Sequence, residues 1–498
     1  MEIQHLLLID IDGLRGDIFR QALEAGKIPN LARLLGGPSA ARGLLVPALS
    51  TAPSVTFCAQ ASLFTGAHPK AHGIPGNQFF DRFGKHNHGI PRHYAFDVGD
   101  TLAVDDAVLV FTNRLAANCL EAPTIYEIAD AWGWRSVVAG HMYAKGAETW
   151  LRPSVVDLAR FTKGGDLFGM SSQEYDRSIL EKTIAHIKKH GLPNILTCYM
   201  MGLDHESHVH SPNIQLEYLS TGIDPLVGKL WAAIENALPT EDQDKLLCAV
   251  FSDHGQISVV PDDRHSLRLA FPFEREMGHL FDALGLDVHD YPGEDPDCDA
   301  VVASNGGMAH VYLRNPKESW QERPDFETDV LPVAKAFWQA HQSGEYAAEL
   351  QGALNSVLLR DVKTHGWTAP YQALIPSGEI VSLESWFANQ PAELSIDPVA
   401  RLDNLAGPYT GDLLLISNYA EGFYFSGLLE GVHGGLHPAD SCATMAFGWP
   451  HACAETWQQA SNQIKNAIAA RCAQENGRQP SVADLLTGLM SAISMVEK

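Results

Sequence analysis

Strand-like and helix-like segments alternate along the first half of the chain. Four runs are apolar without alternation, which predicts strands buried on both faces of a sheet. They span residues 6–9, 135–140, 194–201 and 246–251. Segments with the spacing of amphipathic helices separate them, at residues 29–35, 123–132, 171–190 and 213–238. This order predicts an α/β fold, an α/β/α sandwich with a mainly parallel central sheet.

The rhythm changes after residue 256, where Pro and Asp become frequent. This stretch holds a strand-like run at 309–313 and helix-like segments at 332–341 and 347–359. Strand-like patterning returns at 411–425, and a last helix is expected at 480–493. We therefore expect a discontinuous core with an inserted cap, and a second, smaller insertion within the core. The expected bounds are 1–256 and 408–498 for the core, 257–407 for the cap and 78–120 for the small insertion.

Composition narrows the class of partner. The chain has 498 residues and a formal net charge of -25, from 60 acidic and 35 basic residues, so its surface repels nucleic-acid polymers and anionic membranes. The eight cysteines lack metal-finger spacing, and no run has the length of a membrane span or the layout of a leader. We expect reduced thiols, a cytoplasmic location and a small-molecule substrate. Nothing in the sequence indicates an oligomeric state.

Acidic residues follow three of the apolar runs. Asp12, Asp204 and Asp253 stand at or just beyond these runs, and the carboxyl ends of parallel strands meet at one edge of a sheet. Three carboxylates together repel one another unless a cation neutralises them. His208 and His254 lie close by in sequence, and carboxylate with imidazole suits zinc or manganese. A lone strand-terminal Asp is more often a turn residue, but three in this arrangement indicate a metal site.

A hydroxyl nucleophile is the second chemical feature. Thr56 precedes a helix-compatible segment that ends at Gly66, which places its hydroxyl near a helix N-terminus, where phosphate binds. A metal-coordinated hydroxyl ionises readily and can attack phosphorus. The plain structural alternative is that Thr56 only caps the helix.

Five motifs in the same order resemble the alkaline phosphatase superfamily. They are Asp12-Gly13, TFCAQASLFTGAHPKAHGIPGN from Thr56, DHESHVHSP from Asp204, SDHG from Ser252 and GVHGG from Gly431. The resemblance points to the type I phosphodiesterase/nucleotide pyrophosphatase family and extends to phosphonoacetate hydrolase. It implies an alkaline-phosphatase-like fold and hydrolysis of phosphodiesters or nucleotide pyrophosphates through a covalent phospho-threonine.

The resemblance also implies two divalent metal ions, zinc by the weight of the family, with manganese as the alternative. One metal would be held by Asp12, Thr56, Asp253 and His254. The other would be held by Asp204, His208 and His433. Asn77, at the end of HGIPGN, would bind a phosphoryl oxygen, and Asn305, in a Gly-rich stretch similar to one bordering the site in some relatives, is a candidate substrate contact.

Other functions share this ligand set. A phosphonoacetate-type phosphonate hydrolase and a phosphomonoesterase belong to the same superfamily, although no arginine like the one that clamps monoester phosphates stands near Thr56 in sequence. A metal-dependent phosphomutase would transfer phosphate without net hydrolysis. A non-catalytic metal-binding protein is the alternative outside enzymes, and it usually lacks a ligand or the nucleophile. Small phosphate, pyrophosphate and phosphonate compounds remain the expected substrates.

Overall fold

The strand His5–Ile11 lies at the centre of the core sheet, where both of its apolar faces are buried. Leu6 and Leu8 pack into one layer of the core, and Leu7 and Ile9 pack into the layer on the opposite face.

In the computed structural model the described residues are 3–37, 43–97, 104–163, 169–268, 276–289, 292–294, 297–315 and 319–494.

Seven strands form this core sheet. In spatial order they are Leu44–Leu45, Met445–Gly448, Leu246–Phe251, His5–Ile11, Ile195–Met200, Ser136–Ala139 and Thr149–Leu151. The last five run parallel to one another, and Met445–Gly448 and Leu44–Leu45 form an antiparallel edge. The predicted strands and the mainly parallel sheet are confirmed.

Helices cover both faces of the core sheet, which gives the predicted α/β/α sandwich. One face packs against Thr56–Thr65, Ile125–Asp130, Ala454–Gln474 and Asp484–Ser494. The other face packs against Gly16–Glu24, Pro29–Leu34, Ser172–His190 and Asp224–Ala237. None of the helices within the described ranges combines the length and hydropathy needed to span a membrane.

A second sheet is almost wholly antiparallel. Its strands, in spatial order, are Val288–His289, Ala300–Asn305, Met308–Leu313, Leu413–Ser417, Leu354–Leu359, Gln372–Leu374 and Ile380–Ser382. Helices Glu276–Leu284 and Leu331–Ser343 share one hydrophobic layer with it. Helices Leu383–Phe387 and Pro398–Leu405 belong to the layer on its other side.

Shorter elements connect and flank the two sheets. The paired strands are Gln78–Asp81 with Arg92–Ala95, Ile257–Ser258 with Gly431–Val432, and Ala48–Leu49 with Cys442–Ala443. The remaining α-helices are Pro69–His72, Val104–Asn113, Leu115–Asn118, Val155–Lys163, Gly202–His210, Val362–His365 and Pro438–Ser441. Short 3₁₀ turns are Thr240–Lys245, Ala392–Leu394 and Tyr419–Glu421, and a π turn spans Phe326–Val330.

Two segments differ from their sequence-based prediction. The predicted helix at 347–359 is wrong: the structure has a single 3₁₀ turn, Ala348–Leu350, and then the strand Leu354–Leu359. Gly352 has φ +79°, which ends the turn, and pairing with Leu413–Ser417 fixes the extended backbone. The strand Leu413–Ser417 was expected in the core from the sequence, but in the structure it belongs to the second sheet. The division into core and cap otherwise stays a prediction, as does the small insertion at 78–120, of which residues 98–103 lie outside the described residues.

The predicted helix at 213–238 forms, but it is not uniform. It consists of Pro212–Ile214, Gln215–Tyr218, a π turn at Leu219–Ile223 and Asp224–Ala237. Pro225 stands in the first turn of the last segment and has no N–H to donate, so the wider π turn accommodates it.

Buried histidines are held in one neutral tautomer by their hydrogen bonds. The Gly411 N–H donates to His310 Nδ1 (3.3 Å), so the ring proton lies on Nε2 and is donated to the Pro75 carbonyl (3.2 Å). His72 and His141 also accept a backbone N–H at Nδ1. Burial lowers the pKa of His310 to about 4 and that of His72 and His141 to about 3.

We predict that His310 makes the fold sensitive to acid. The unfolded chain takes up this proton below its ordinary pKa of 6.5, whereas the folded chain does so only near pH 4. The stabilisation is therefore complete above pH 6.5 and falls by about 1.4 kcal/mol per pH unit below it. His310→Gln keeps a donor and an acceptor but does not titrate, so urea denaturation should show the gap between wild type and variant narrowing or reversing towards pH 4. A difference that is constant with pH would contradict this.

Candidate metal centre and active site

The carboxyl ends of the two central strands bring the first ligand group together. Asp12 directly follows His5–Ile11, and Asp253 and His254 follow Leu246–Phe251. His254 Nε2 lies 3.5 Å from Asp12 Oδ1 and 3.3 Å from Asp253 Oδ2. One ligand atom from each residue lies within 4.8 Å of the others. We call these three residues the Asp253 group.

A second group forms beside it around Asp204. Asp204 and His208 stand one turn apart on the helix Gly202–His210, and their Oδ2 and Nε2 atoms are 3.2 Å apart. His433, after the short strand Gly431–Val432, places its Nε2 3.8 Å from Asp204 Oδ1. The three ligand atoms again lie within 4.8 Å of one another. We call this set the Asp204 group.

The two groups are in contact. The rings of His254 and His433 stack with centroids 3.7 Å apart and planes 18° apart. Gly13 lies between the groups: its N–H donates to Asp253 Oδ1 (3.1 Å), and a Cβ there would lie 2.7 Å from Asp204 Oδ1. Its φ of +70° also favours glycine. In the sequence Asp12-Gly13, a candidate ligand is therefore followed by a glycine, and the missing side chain of this glycine lets the two groups approach each other.

All three histidines are oriented in the same way. Nδ1 of His208 contacts the Gly431 carbonyl at 2.7 Å, Nδ1 of His254 contacts the Gly255 carbonyl at 2.9 Å, and Nδ1 of His433 contacts the carbonyl of Ser54 at 2.9 Å. A carbonyl only accepts, so each Nδ1 carries a proton. Each Nε2 is therefore turned towards the acidic groups, in the position of a metal ligand.

The electrostatics of the Asp253 group favour a bound cation. Burial and the neighbouring carboxylates raise the pKa of Asp12 well above its usual range, and burial likewise raises that of Asp253. Asp12 Oδ1 and Asp253 Oδ2 are buried and accept no hydrogen bond. A divalent cation would satisfy both oxygens and remove the repulsion, so these residues fit a metal.

The Asp204 group is balanced by its histidines. Burial alone would raise the pKa of Asp204, but the adjacent imidazoles of His208, His433 and His254 hold it well below its ordinary value. Burial would lower the pKa of His208, but Asp204 raises it to about 9. A metal here would displace the proton from His208 Nε2, so binding would compete with protons below that pH.

The hydroxyl of Thr56 lies against the Asp253 group. Thr56 is the first residue of the helix Thr56–Thr65, which ends at Gly66 as predicted, and its Oγ1 lies 3.2 Å from His254 Nε2. The residue before it, Val55, offers no side-chain cap, so the N–H groups of the first turn remain available to an anion except that of Phe57, which donates to Asn77 Oδ1.

Asn77 is held beside the start of this helix. Its Oδ1 accepts from the Phe57 N–H (2.8 Å), and its Nδ2 donates to Asp97 Oδ2 (3.3 Å). With the amide oriented in this way, the NH₂ group faces the cavity that Thr56, Asn77 and Asp97 line. This is the position in which the sequence predicts an oxyanion donor.

Asn305 is placed at the site but is occupied by backbone contacts. Its Oδ1 accepts from the N–H groups of Asn77 (2.7 Å) and Gln78 (3.1 Å), and its Nδ2 donates to the carbonyls of Gln78 (3.0 Å) and Ala303 (3.2 Å). The side chain is 2% exposed. These bonds favour a role in positioning Asn77 over the substrate contact expected from sequence.

Two residues of the site were not found by sequence reasoning. Tyr199 donates its hydroxyl hydrogen bond to Asp12 Oδ2, and Gln256 donates to Asp204 Oδ1 through its side-chain amide. Tyr199 stands at the end of the strand Ile195–Met200, in register with Asp10, and this strand-end position was a usable signal. Gln256 gave none, because nothing in SDHG indicates that the third residue after Asp253 turns towards Asp204.

The fold and the six side chains of the two ligand groups define an α/β protein with a candidate two-metal centre beside a threonine. The model of the type I phosphodiesterase/nucleotide pyrophosphatase family matches residues 6–377. The chain belongs to this family of enzymes, as the motifs predicted.

A relative in sequence is an uncharacterized pyrophosphatase/phosphodiesterase of Schizosaccharomyces pombe. It is 39% identical over 77 residues, which is 15% of this chain and 14% of that protein. The matched part is therefore a small fraction of both proteins.

Solved structures of ectonucleotide pyrophosphatase/phosphodiesterase 5 have a similar fold. The murine enzyme matches with a TM-score of 0.52 and 14% identity, over 89% of this chain and 88% of that one. The human enzyme matches with a TM-score of 0.51 and 14% identity over the same shares. An inactive murine variant in complex with AMP has a TM-score of 0.51 and 13% identity, again over 89% and 88%. At these identities the likeness establishes the fold.

We predict that Asn305→Ala lowers stability and activity together. The substitution leaves two buried N–H groups without an acceptor, which costs about 2–3 kcal/mol of the free energy of unfolding, and it releases the backbone of Asn77. Urea denaturation and kcat on an aryl phosphodiester would measure the two effects. Lost turnover with unchanged stability would instead indicate that Asn305 contacts the substrate.

Proposed function

We propose that this protein hydrolyses phosphodiester or nucleotide pyrophosphate bonds through a covalent phospho-threonine at Thr56. The observation that carries the proposal is the position of Thr56 Oγ1, at a helix N-terminus and 3.2 Å from a histidine of one ligand group, with the second group stacked against it. Family membership supports the reaction class.

Thr56 acts as the nucleophile. Its Oγ1 forms a bond to phosphorus, the bond to the leaving oxygen breaks, and the departing alcohol or phosphate takes up a proton. Water then attacks the phospho-threonine, the bond between phosphorus and Oγ1 breaks, and the threonine hydroxyl is restored. The Phe57 N–H holds Asn77 in place, and the remaining N–H groups of the first helical turn and the NH₂ of Asn77 stabilise the charge on the remaining phosphoryl oxygens.

We assign one metal to the Asp253 group with Thr56 and the other to the Asp204 group. When bound, the two divalent cations would lower the pKa of a coordinated hydroxyl and neutralise charge on the phosphoryl group. Asp12, Asp253 and His254 would hold the ion next to the nucleophile, with Tyr199 orienting Asp12. Asp204, His208 and His433 would hold the other, and zinc is the metal we propose.

The relatives support both the nucleophile and a nucleotide-like substrate. The inactive variant of murine ectonucleotide pyrophosphatase/phosphodiesterase 5 carries a threonine-to-alanine change, and AMP is bound to it. We infer that a small phosphate ester of comparable size enters the site of this chain. The absence of Lys and Arg among the described residues lining the cavity favours diesters over monoesters, whose second negative charge would need a cationic partner.

Thr56→Ala should abolish turnover. We expect kcat/KM for a bis-aryl phosphodiester to fall roughly a thousandfold or more, because no hydroxyl remains to accept the phosphoryl group. Thr56→Ser is the matched control and should retain activity together with a phosphorylated residue 56, detectable by mass spectrometry after an acid quench. An alanine variant as active as wild type would refute the phospho-threonine.

The same preparation separates the alternative functions. Bis-aryl phosphodiester, aryl monophosphate, a dinucleotide and phosphonoacetate would be compared in parallel, with Thr56→Ala as the blank. We expect the diester or the dinucleotide to have the highest kcat/KM. A higher value for the monophosphate or for phosphonoacetate would assign the enzyme to another branch, and phosphate transfer to a second alcohol without net hydrolysis would indicate a mutase.

We expect each of the two ligand groups to bind its own metal ion, so a variant in one group should lose only one ion. We predict two equivalents of zinc for wild type and one for His208→Ala, measured by calorimetry and by elemental analysis after dialysis, because the variant removes one of three ligands of a single group. His210→Ala is the matched control: its side chain is 60% exposed, lies on the same helix outside both groups, and should leave two equivalents bound. Equal stoichiometry in the two variants would contradict the assignment.

A further inference from the structure

A cavity of about 350 Å³ opens beside Thr56 and is mostly apolar. The site residues Thr56 and Asn77 lie on one of its walls. The lining also includes Phe57, Phe96 and Phe111, and the helix Val155–Lys163 contributes Leu158 and Phe161. Phe57 and Phe96 also touch each other, with ring centroids 5.2 Å apart. A substrate bound at Thr56 therefore places one of its ester groups among aliphatic and aromatic side chains.

The charge of the cavity is one-sided. Among the described residues that line it there is no Lys or Arg, while Asp97 adds a carboxylate beyond the two ligand groups. Asp97 lies beside the site, where its Oδ2 is 3.3 Å from Asn77 Nδ2. A chain of further phosphates leading away from the reacting phosphorus would meet a carboxylate and apolar walls rather than cationic partners.

The mouth of the cavity is apolar as well. Large hydrophobic side chains at least two-fifths exposed are few in the described ranges, and Val155 (50%) and Val209 (46%) both line this cavity. Two further exposed apolar residues adjoin lining residues in sequence. Val156 (66%) follows Val155, and Leu428 (52%) precedes Leu429, which also lines the cavity. Scattered exposed apolar residues need no explanation, but a group at the mouth of a site indicates an apolar ligand that reaches the surface.

We propose that the substrate is an amphipathic phosphodiester, in which one ester group is an alkyl or acyl chain. The phosphate lies at Thr56, the first part of the chain fills the apolar cavity, and the remainder passes over the rim formed by the exposed lining residues Val155 and Val209. This inference rests on the proposed phosphodiester hydrolysis and narrows its substrate class, against nucleoside polyphosphates.

A homologous series of substrates tests the inference. p-Nitrophenyl alkyl phosphates with methyl, butyl, octyl and dodecyl groups differ only in the apolar chain. We expect kcat/KM to rise by about fourfold per added methylene until the cavity is filled, because each buried methylene gains transfer free energy. ATP should have a lower kcat/KM than the octyl ester. A flat or falling series, or ATP as the better substrate, would overturn the proposal.

Rim variants locate the effect. Val155→Asp should flatten the dependence of kcat/KM on chain length, because a carboxylate then faces the emerging chain. Val260→Asp is the matched control, since Val260 is similarly exposed (49%) but does not line the cavity, and it should keep the wild-type slope. Equal slopes for both variants would overturn the proposal.

Binding distinguishes failure of the inference from failure of the proposed function. With Thr56→Ala, calorimetry with dimethyl phosphate and with methyl octyl phosphate measures the apolar contribution without turnover. Tighter binding of the octyl compound supports the cavity assignment even if no diester is hydrolysed, an outcome that would refute the proposed function alone. Equal Kd values for the two esters would refute the substrate class while leaving hydrolysis of the methyl ester in place.

Discussion

Concentrated negative charge at one edge of the core sheet is the constraint on which the site depends. Asp10 lies in one central strand, Asp12 directly follows that strand, and Asp253 follows the neighbouring strand. Burial raises the pKa of all three, and repulsion from neighbouring carboxylates adds to this effect. Two neighbouring side chains donate to this charge: Gln60 donates to Asp10 Oδ1 at 3.2 Å, and Tyr199 donates to Asp12. One oxygen each of Asp10, Asp12 and Asp253 still accepts no hydrogen bond, so a bound cation would stabilise the arrangement.

The second sheet takes part in the site through one tight turn. Asn305 binds the backbone on either side of the Asn77–Gln78 peptide bond, and the N–H of Gly307 donates to the His433 carbonyl at 3.0 Å. A Cβ at Gly306 would lie 1.8 Å from that carbonyl, so a glycine is required there. The candidate oxyanion donor Asn77 and the candidate metal ligand His433 are therefore both fixed by the hairpin that joins Ala300–Asn305 to Met308–Leu313.

The sequence predicts the site residues whose positions follow from strand direction. It does not predict those whose positions depend on tertiary contacts. Asp12 and Asp253 were predictable because parallel strands end at a common edge, and Thr56 because Gly66 marks the end of its helix. The bonds of Asn305 were not, because a glycine-rich stretch does not reveal which backbone it meets. The strand Leu354–Leu359 was predicted as part of a helix, and its pairing with Leu413–Ser417, which the local sequence does not reveal, decides the conformation.

The anchoring of the three histidines has a consequence for how this enzyme can evolve. Each ring is held by a main-chain carbonyl, and a carbonyl is present whatever side chain its residue carries. Point mutations around the site therefore cannot delete these anchors unless they move the backbone. The helices Val104–Asn113 and Val155–Lys163 supply cavity walls through side chains alone. Lineages of this fold can thus diverge in substrate through these walls while the orientation of the imidazoles is inherited unchanged.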